Sequence, residues 1–227
     1  MNNVRISEFP KSGGTWLGLM LSDLFSLEFP RNRPLPIKRC IQHAHFGGPF
    51  KQKTIVLVRD GRDVLTSAYF HFLLPSQKKP SGLVKYWRKM MGNVNFENVE
   101  ETMPVFISVF TENYKAGFKN ISWSDHVMSY ANDPMALIIR YEDLLHNAEN
   151  ELQKISKWIG EEPKKPISGI VSKYKFEVLA NRNPGEEDRQ SFYRKGISGD
   201  WKNYFSNEAI EVFNKYHSEG LRYYNYD

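Results

Sequence analysis

Hydrophobic residues follow two rhythms along this chain, and the rhythms alternate. Val4-Arg5-Ile6-Ser7-Glu8-Phe9 switches between apolar and polar, the period of a half-buried strand. After Pro10 to Gly14, apolar positions 16, 17, 20, 21, 24 and 25 recur at helical spacing, with Thr15 near the expected N-cap. A short strand is expected over Arg39 to His43. Lys53 to Arg59 is a continuous apolar, β-branched run, as in a parallel strand covered on both faces. A helix should follow from about Arg62 to Phe72. Residues 73–135 read as mainly helical and loop-rich, with apolar spacing at Phe106, Val109, Phe110 and Phe118. Next come a buried strand over Met135 to Tyr141 and helices near Asn147 to Ile159 and Ile170 to Ala180. An irregular stretch over 181–203 and a last helix near Asn207 to Tyr216 complete the pattern. Strands alternating with helices predict the α/β class: a three-layer fold with a central parallel sheet flanked by helices and right-handed crossovers. No repeat or linker interrupts the 227 residues. One domain over 1–227 is therefore expected, with 73–135 as its variable, acceptor-side part.

Charge changes this picture little. Lys and Arg number 31 against 26 Asp and Glu, a net +5, and the basic residues are scattered rather than gathered in a stripe. Lys51-Gln52-Lys53 and Lys78-Lys79 read as solvated surface, so no nucleic-acid partner is expected. One cysteine, Cys40, excludes a disulfide framework and a multi-cysteine zinc site, and no metal site is expected. The longest apolar runs, Ile55 to Val58 and Met135 to Ile139, fall far short of a membrane span. Met1 to Pro10 holds no apolar signal core, so a cytoplasmic protein is expected.

The loop Phe9-Pro10-Lys11-Ser12-Gly13-Gly14-Thr15-Trp16 carries the first chemistry. Two glycines let backbone N–H groups converge, and the following helix N-terminus adds partial positive charge. Lys11 brings a full charge; Ser12 and Thr15 bring hydroxyl donors. Gly-Gly alone would suit any strand-to-helix turn, but with these three residues the loop fits a phosphate or sulfate group. It is P-loop-like without being a Walker A sequence, because its lysine precedes the glycines.

Pro10 to Trp16 resembles the 5′-phosphosulfate loop of the sulfotransferases that use 3′-phosphoadenosine 5′-phosphosulfate (PAPS), most of all those of the cytosolic type. Two further segments stand in the matching order. Arg59-Asp60-Gly61-Arg62-Asp63-Val64-Leu65-Thr66-Ser67 is similar to the family's 3′-phosphate segment. Tyr193-Arg194-Lys195-Gly196-Ile197-Ser198-Gly199-Asp200-Trp201-Lys202-Asn203 is similar to its C-terminal Arg-Lys-Gly-x-x-Gly-Asp-Trp-Lys-Asn signature. The resemblance implies that Lys11, Ser12, Gly13, Gly14 and Thr15 hold the 5′-phosphosulfate. It gives the 3′-phosphate to Arg59, Ser67, Arg194, Lys195 and Gly196. An arginine fork suits a phosphate dianion, and a surface ion pair of Arg59 with Asp60 or Asp63 is the plainer alternative. Trp16, Tyr141, Tyr174, Phe176 and Phe192 are implied around the adenine, where the family usually has a small hydroxyl residue in place of Tyr174. Trp201 reads as core.

A hydroxyl acceptor needs a base, and histidine titrates in the right range. Of His43, His45, His71, His126, His146 and His217, the resemblance selects His43, because Ile41-Gln42-His43 matches the family's Lys-Thr-His. His45, two residues on in an extended segment, shares its face and is the second choice. Ile41 stands where many members have lysine. His71, among Tyr69, Phe70 and Phe72, reads as packed or lining the acceptor entrance.

The implied reaction is in-line sulfuryl transfer from PAPS to a hydroxyl or amine of a small molecule, leaving adenosine 3′,5′-bisphosphate (PAP). His43 takes the proton, Lys11 stabilises the leaving oxygen, and no metal is required. Phe96, Phe106, Phe110, Tyr114, Phe118 and Trp123 fit either an apolar acceptor pocket or an ordinary core. In the family's dimer segment Lys202 and Glu211 are in place, but Ser206 and Asn207 replace Thr and Val, so a monomer or weak homodimer is expected. Two other classes compete. A P-loop kinase would need the missing Walker lysine. A non-catalytic PAP- or PAPS-binding module would tolerate the loss of lysine at Ile41.

Overall fold

Strand β1 (Val4–Glu8) opens the chain and leads through the glycine loop into α1 (Gly14–Phe25). β2 (Ile41–Ala44), β3 (Thr54–Val58) and α2 (Gly61–Phe72) follow, then α3 (Ser81–Met91) and α4 (Val99–Asn113). A two-residue hairpin, β4 (Lys115–Ala116) and β5 (Lys119–Asn120), precedes α5 (Trp123–Met128) and β6 (Ala136–Arg140). Helices α6 (Tyr141–His146), α7 (Ala148–Ile159), α8 (Ile167–Lys173) and α9 (Phe176–Ala180) come next. A 3-10 turn (Asp200–Asn203) and α10 (Asn207–Tyr223) end the order. The structure is a computed structural model and describes residues 3–31, 38–74, 81–116 and 119–226. The Lys78-Lys79 cluster and Phe118 lie outside the described residues.

The chain divides into two units, each assembled from separate stretches. The first holds residues 1–59 and 129–181. Its sheet has the order β2-β1-β3-β6, with every neighbouring pair parallel. All five residues of β3 are buried, as its unbroken apolar run requires. Ile6, Ile41, Ile55 and Leu57 pack with Leu17, Leu21 and Leu24 of α1 and Leu152 and Ile155 of α7. Each such leucine contributes about 1.5–3 kcal/mol by leaving water. The expected buried strand over Met135 to Tyr141 is shorter and sits at the sheet edge. Only Ile139 of its five residues is buried, because β3 covers one side alone. The helix expected over Ile170 to Ala180 is two helices. The Tyr174 carbonyl accepts from the Trp16 indole N–H at 2.8 Å instead of continuing the ladder.

The second unit holds residues 60–128 and 182–227. Phe106, Phe110 and Trp123 are fully buried there and build its core, which settles those three as packing rather than pocket lining. α10 runs past the expected Tyr216. Gly220 lets it close on α5: a Cβ there would lie 2.8 Å from the Trp123 ring, and the Gly220 N–H donates to Ser124 Oγ. Ser206 caps this helix by accepting from Ala209 N at 3.2 Å, so its hydroxyl serves the fold.

His217 on α10 is fully buried, with Nε2 3.0 Å from Thr111 Oγ1 and no partner for Nδ1 among the described residues. Burial pulls its pKa down to about 3, against the raising charge of Asp125. The unfolded chain protonates this ring near pH 6.5 and the folded chain does not until about 3. Its stabilisation is therefore full above pH 6.5 and is lost as the pH falls through that window, by about 1.4 kcal/mol per unit. His217→Gln should flatten the fall of urea-derived stability between pH 6.5 and 5. Identical slopes in the two proteins would refute the assignment.

Candidate functional site

In the first unit the loop after β1 is rolled tightly. Ser12 N donates to Phe9 O at 3.2 Å, and Trp16 N and Leu17 N donate to Gly13 O. Lys11 holds φ 77°, a left-handed backbone that costs a non-glycine residue roughly 1–2 kcal/mol. Gly13, at φ 105°, also needs its missing side chain: a Cβ would stand 2.9 Å from the Tyr141 ring. A Cβ on Gly14 would lie 2.5 Å from Glu8 Cδ and 2.7 Å from His43 Nε2. The Ser12 hydroxyl is buried and has no partner among the described residues, an unmet donor within the loop. Thr15 is buried as well, and Lys11 is half-buried.

Beside the loop His43 and His45 are joined by Glu8, a residue that no motif points to. Parallel pairing sets Ile6 opposite His43, so Glu8 at the end of β1 meets the imidazole from β2. Glu8 Oε1 lies 3.0 Å from His43 Nε2, its other oxygen accepts from Gly14 N, and its carbonyl lies 3.2 Å from His45 Nδ1. The two rings meet edge to face, 4.9 Å between centroids. Burial alone would push the Glu8 carboxyl up, yet the His43 hydrogen bond, the charges of both histidines and Gly14 N hold it below its usual range. Burial lowers the His45 pKa, against the raising charge of Glu8. Assigned from these bonds, the tautomers leave Nδ1 of His43 and Nε2 of His45 as lone-pair nitrogens.

The aromatic and arginine positions of this unit also gather. Arg59 donates to Lys11 O at 3.3 Å and lies over the Tyr141 ring, 4.3 Å from its centroid. Trp16 meets Tyr141 edge-on at 5.9 Å. The Tyr174 hydroxyl reaches Asp23 at 3.4 Å, while its ring is buried. Phe176 is half-buried at the start of α9. Thus loop, histidines, Arg59, Trp16, Tyr141 and Tyr174 form one connected set.

The second unit holds Ser67, Phe192, Arg194, Lys195 and Gly196. Ser67 is half-buried on α2, and Phe192 is exposed. Arg194 pairs with Asp200 and Glu187, and Lys195 Nζ lies 2.6 Å from Asp200 Oδ1. Burial works against ionisation of Asp200, but these cations keep its pKa low. Asp63, considered in the sequence only as a partner for Arg59, is buried and accepts from Gly199 N at 2.7 Å and Trp201 N at 2.9 Å. Asp60 pairs instead with Arg62 at 2.8 Å. Trp201 is half-buried under the Arg62 guanidinium, 4.1 Å away, rather than enclosed in the core. Of the remaining histidines, His126 and His217 are buried, His71 packs on Phe72, and His146 is exposed.

A family model described as "Sulfotransferase domain" matches residues 30–224, a range that begins after the glycine loop. The chain is 27% identical to sulfotransferase 1E1 of Cavia porcellus, over 75% of this chain and 55% of that protein. It is 24% identical to a flavonol sulfotransferase-like protein of Flaveria bidentis, over 97% of this chain and 82% of that one. The chain thus spans little more than half of the first relative and about four-fifths of the second. In backbone it is similar to mouse sulfotransferase SULT7A1, solved with PAP. The TM-score is 0.69 at 22% identity, covering 97% of this chain and 85% of that one.

Proposed function

Because the chain belongs to the sulfotransferase domain family, we propose that it transfers the sulfuryl group of PAPS to a hydroxyl or amine of a small molecule in the cytoplasm. One observation carries this reading: a glycine loop with a buried, unmet Ser12 hydroxyl lies against a carboxylate–imidazole pair, Glu8 and His43. A loop of that kind suits a sulfated phosphate, and the neighbouring base suits the acceptor proton.

His43 is the proposed base. Glu8 holds its Nε2–H, leaves Nδ1 to take the acceptor proton, and stabilises the imidazolium that forms, as a buried carboxylate does in an acid–histidine pair. The acceptor oxygen attacks sulfur while the bond from sulfur to the phosphate oxygen breaks in line. Lys11 and loop N–H groups stabilise the charge that this oxygen gains. Gly14 N is already given to Glu8, so Lys11, Ser12 and Thr15 carry more of the anion's binding than the loop backbone alone would suggest. Trp16 and Phe176, both half-buried, offer faces for adenine, and stacking contributes about 1–3 kcal/mol per base. For Tyr141, under the Arg59 guanidinium, and Tyr174, whose ring is buried, the assignment rests on the motifs. For Ser67, Phe192, Arg194, Lys195 and Gly196 the assignment to the nucleotide rests on the motifs. A phosphate there would exchange places with Asp200 on its two cations.

The test is thermal unfolding with excess PAP, with AMP and ATP alongside. At 100 times its dissociation constant PAP should stabilise the fold by about 2.7 kcal/mol, which corresponds to roughly 5–10 °C. A shift with PAP and none with AMP is expected. Equal shifts would refute the 3′-phosphate assignment, and no shift with PAP would remove the nucleotide from the proposal. Binding of PAP without turnover over a broad acceptor panel would make the chain a binding module.

A further inference from the structure

The array beside the loop has a second capacity. One oxygen of Glu8 and one ring nitrogen each of His43 and His45 lie within 4.8 Å of one another. We propose that these three side chains form a site for a zinc-class divalent cation, and that the bound ion blocks the base. The site stands on its own geometry; the block on turnover rests on the role proposed above for His43.

Two imidazoles and one carboxylate are a common ligand set for Zn²⁺ with a fourth position left to water. Metal–ligand distances of about 2.0–2.2 Å in a tetrahedron place ligand atoms about 3.4 Å apart. Glu8 Oε1 and His43 Nε2 stand 3.0 Å apart already, so small ring rotations complete the set. Outer contacts of the kind that orient metal ligands are also present. Gly14 N fixes the second Glu8 oxygen, and the Glu8 carbonyl accepts from His45 Nδ1, which leaves the other nitrogen with the lone pair. Glu8 is buried while both rings retain some exposure, so an ion can reach the carboxylate and the imidazoles from one side. On binding, His43 would move its proton from Nε2 to Nδ1, the very nitrogen proposed to accept the acceptor's proton. Nitrogen donors favour Zn²⁺ or Co²⁺ over Mg²⁺, which prefers an all-oxygen shell.

Isothermal calorimetry with Zn²⁺ and visible spectra with Co²⁺, on the full chain freed of metal, test the site without any acceptor. One ion per chain is expected, with no response to Mg²⁺. Glu8→Gln and His45→Gln, each checked for folding by circular dichroism, should weaken binding by more than about 10–100-fold. His71→Asn and Cys40→Ser should bind as the wild type does. Absence of binding, binding unchanged in both Glu8→Gln and His45→Gln, or binding lost in Cys40→Ser would overturn the site. Turnover assays separate the two ideas. Inhibition by stoichiometric Zn²⁺, relieved by a chelator, is expected. Turnover in a protein that binds no Zn²⁺ would overturn the cation site alone. Zn²⁺ binding in a protein with no sulfotransfer would overturn the catalytic reading and leave the site standing.

Discussion

Lys11→Ala should lose about 10²–10³-fold in kcat at saturating PAPS, while its affinity for PAP changes far less. The reason is where charge grows. In the proposed ground state the phosphosulfate is shared among several groups: Ser12, Thr15, the helix N-terminus and Lys11. As the bond from sulfur to oxygen breaks, the bridging oxygen gains negative charge, and an ammonium aimed at it gains energy only then. The left-handed backbone of Lys11 is a strain that fits a functional role for this residue. Removing one such donor typically costs about 3–4 kcal/mol of transition-state stabilisation. Steady-state rates with PAPS and calorimetry with PAP give the two numbers. A normal kcat would refute the role of Lys11. An equal loss in kcat and in PAP affinity would make it a binding residue only.

Local pattern made part of this molecule legible. β1, the loop, α1, β3 and α2 fall within a residue or two of their expected spans, because alternation, helical spacing and an unbroken apolar run are properties of neighbours along the chain. Lys11, Ser12 and Thr15 are legible for the same reason, since they sit in one contiguous loop, whereas His43 is picked out through the resemblance of Ile41-Gln42-His43 to the family's Lys-Thr-His. What escaped was set by distant parts of the chain. Glu8 looks like one more polar tooth of an alternating strand; only the register of β1 with β2 brings it to His43 and His45. Asp63 reads only as a possible partner for Arg59 until residues 199–201 return to it from more than 130 positions away. The last helix is expected to end near Tyr216, yet it runs on to Tyr223, and Gly220 lets it touch Trp123. The break after Tyr174 depends on a bond to Trp16 from the far end of the unit. Glutamate, aspartate and glycine are ambiguous residues, and tertiary partners decide their meaning.

His43→Ala should lower kcat by about 10²–10⁴-fold, the usual worth of a positioned general base. PAP binding should persist, because no part of the proposed nucleotide grip passes through this ring. His45→Ala separates the two candidates. The Glu8 carboxylate bonds His43, whereas only the Glu8 carbonyl bonds His45. A carboxylate stabilises the imidazolium formed during transfer far more than a neutral carbonyl does. The loss in His45→Ala should therefore be much the smaller of the two. Added imidazole should restore part of the activity of His43→Ala by occupying the space beside Glu8. It should do little for the double variant His43→Ala/Glu8→Gln, in which nothing holds the added ring in its tautomer. Rates measured with a chelator present keep any bound cation from masking these differences. If His45→Ala lost more than His43→Ala, the base would be His45, and the Glu8 carboxylate would serve the loop through Gly14 rather than the proton transfer.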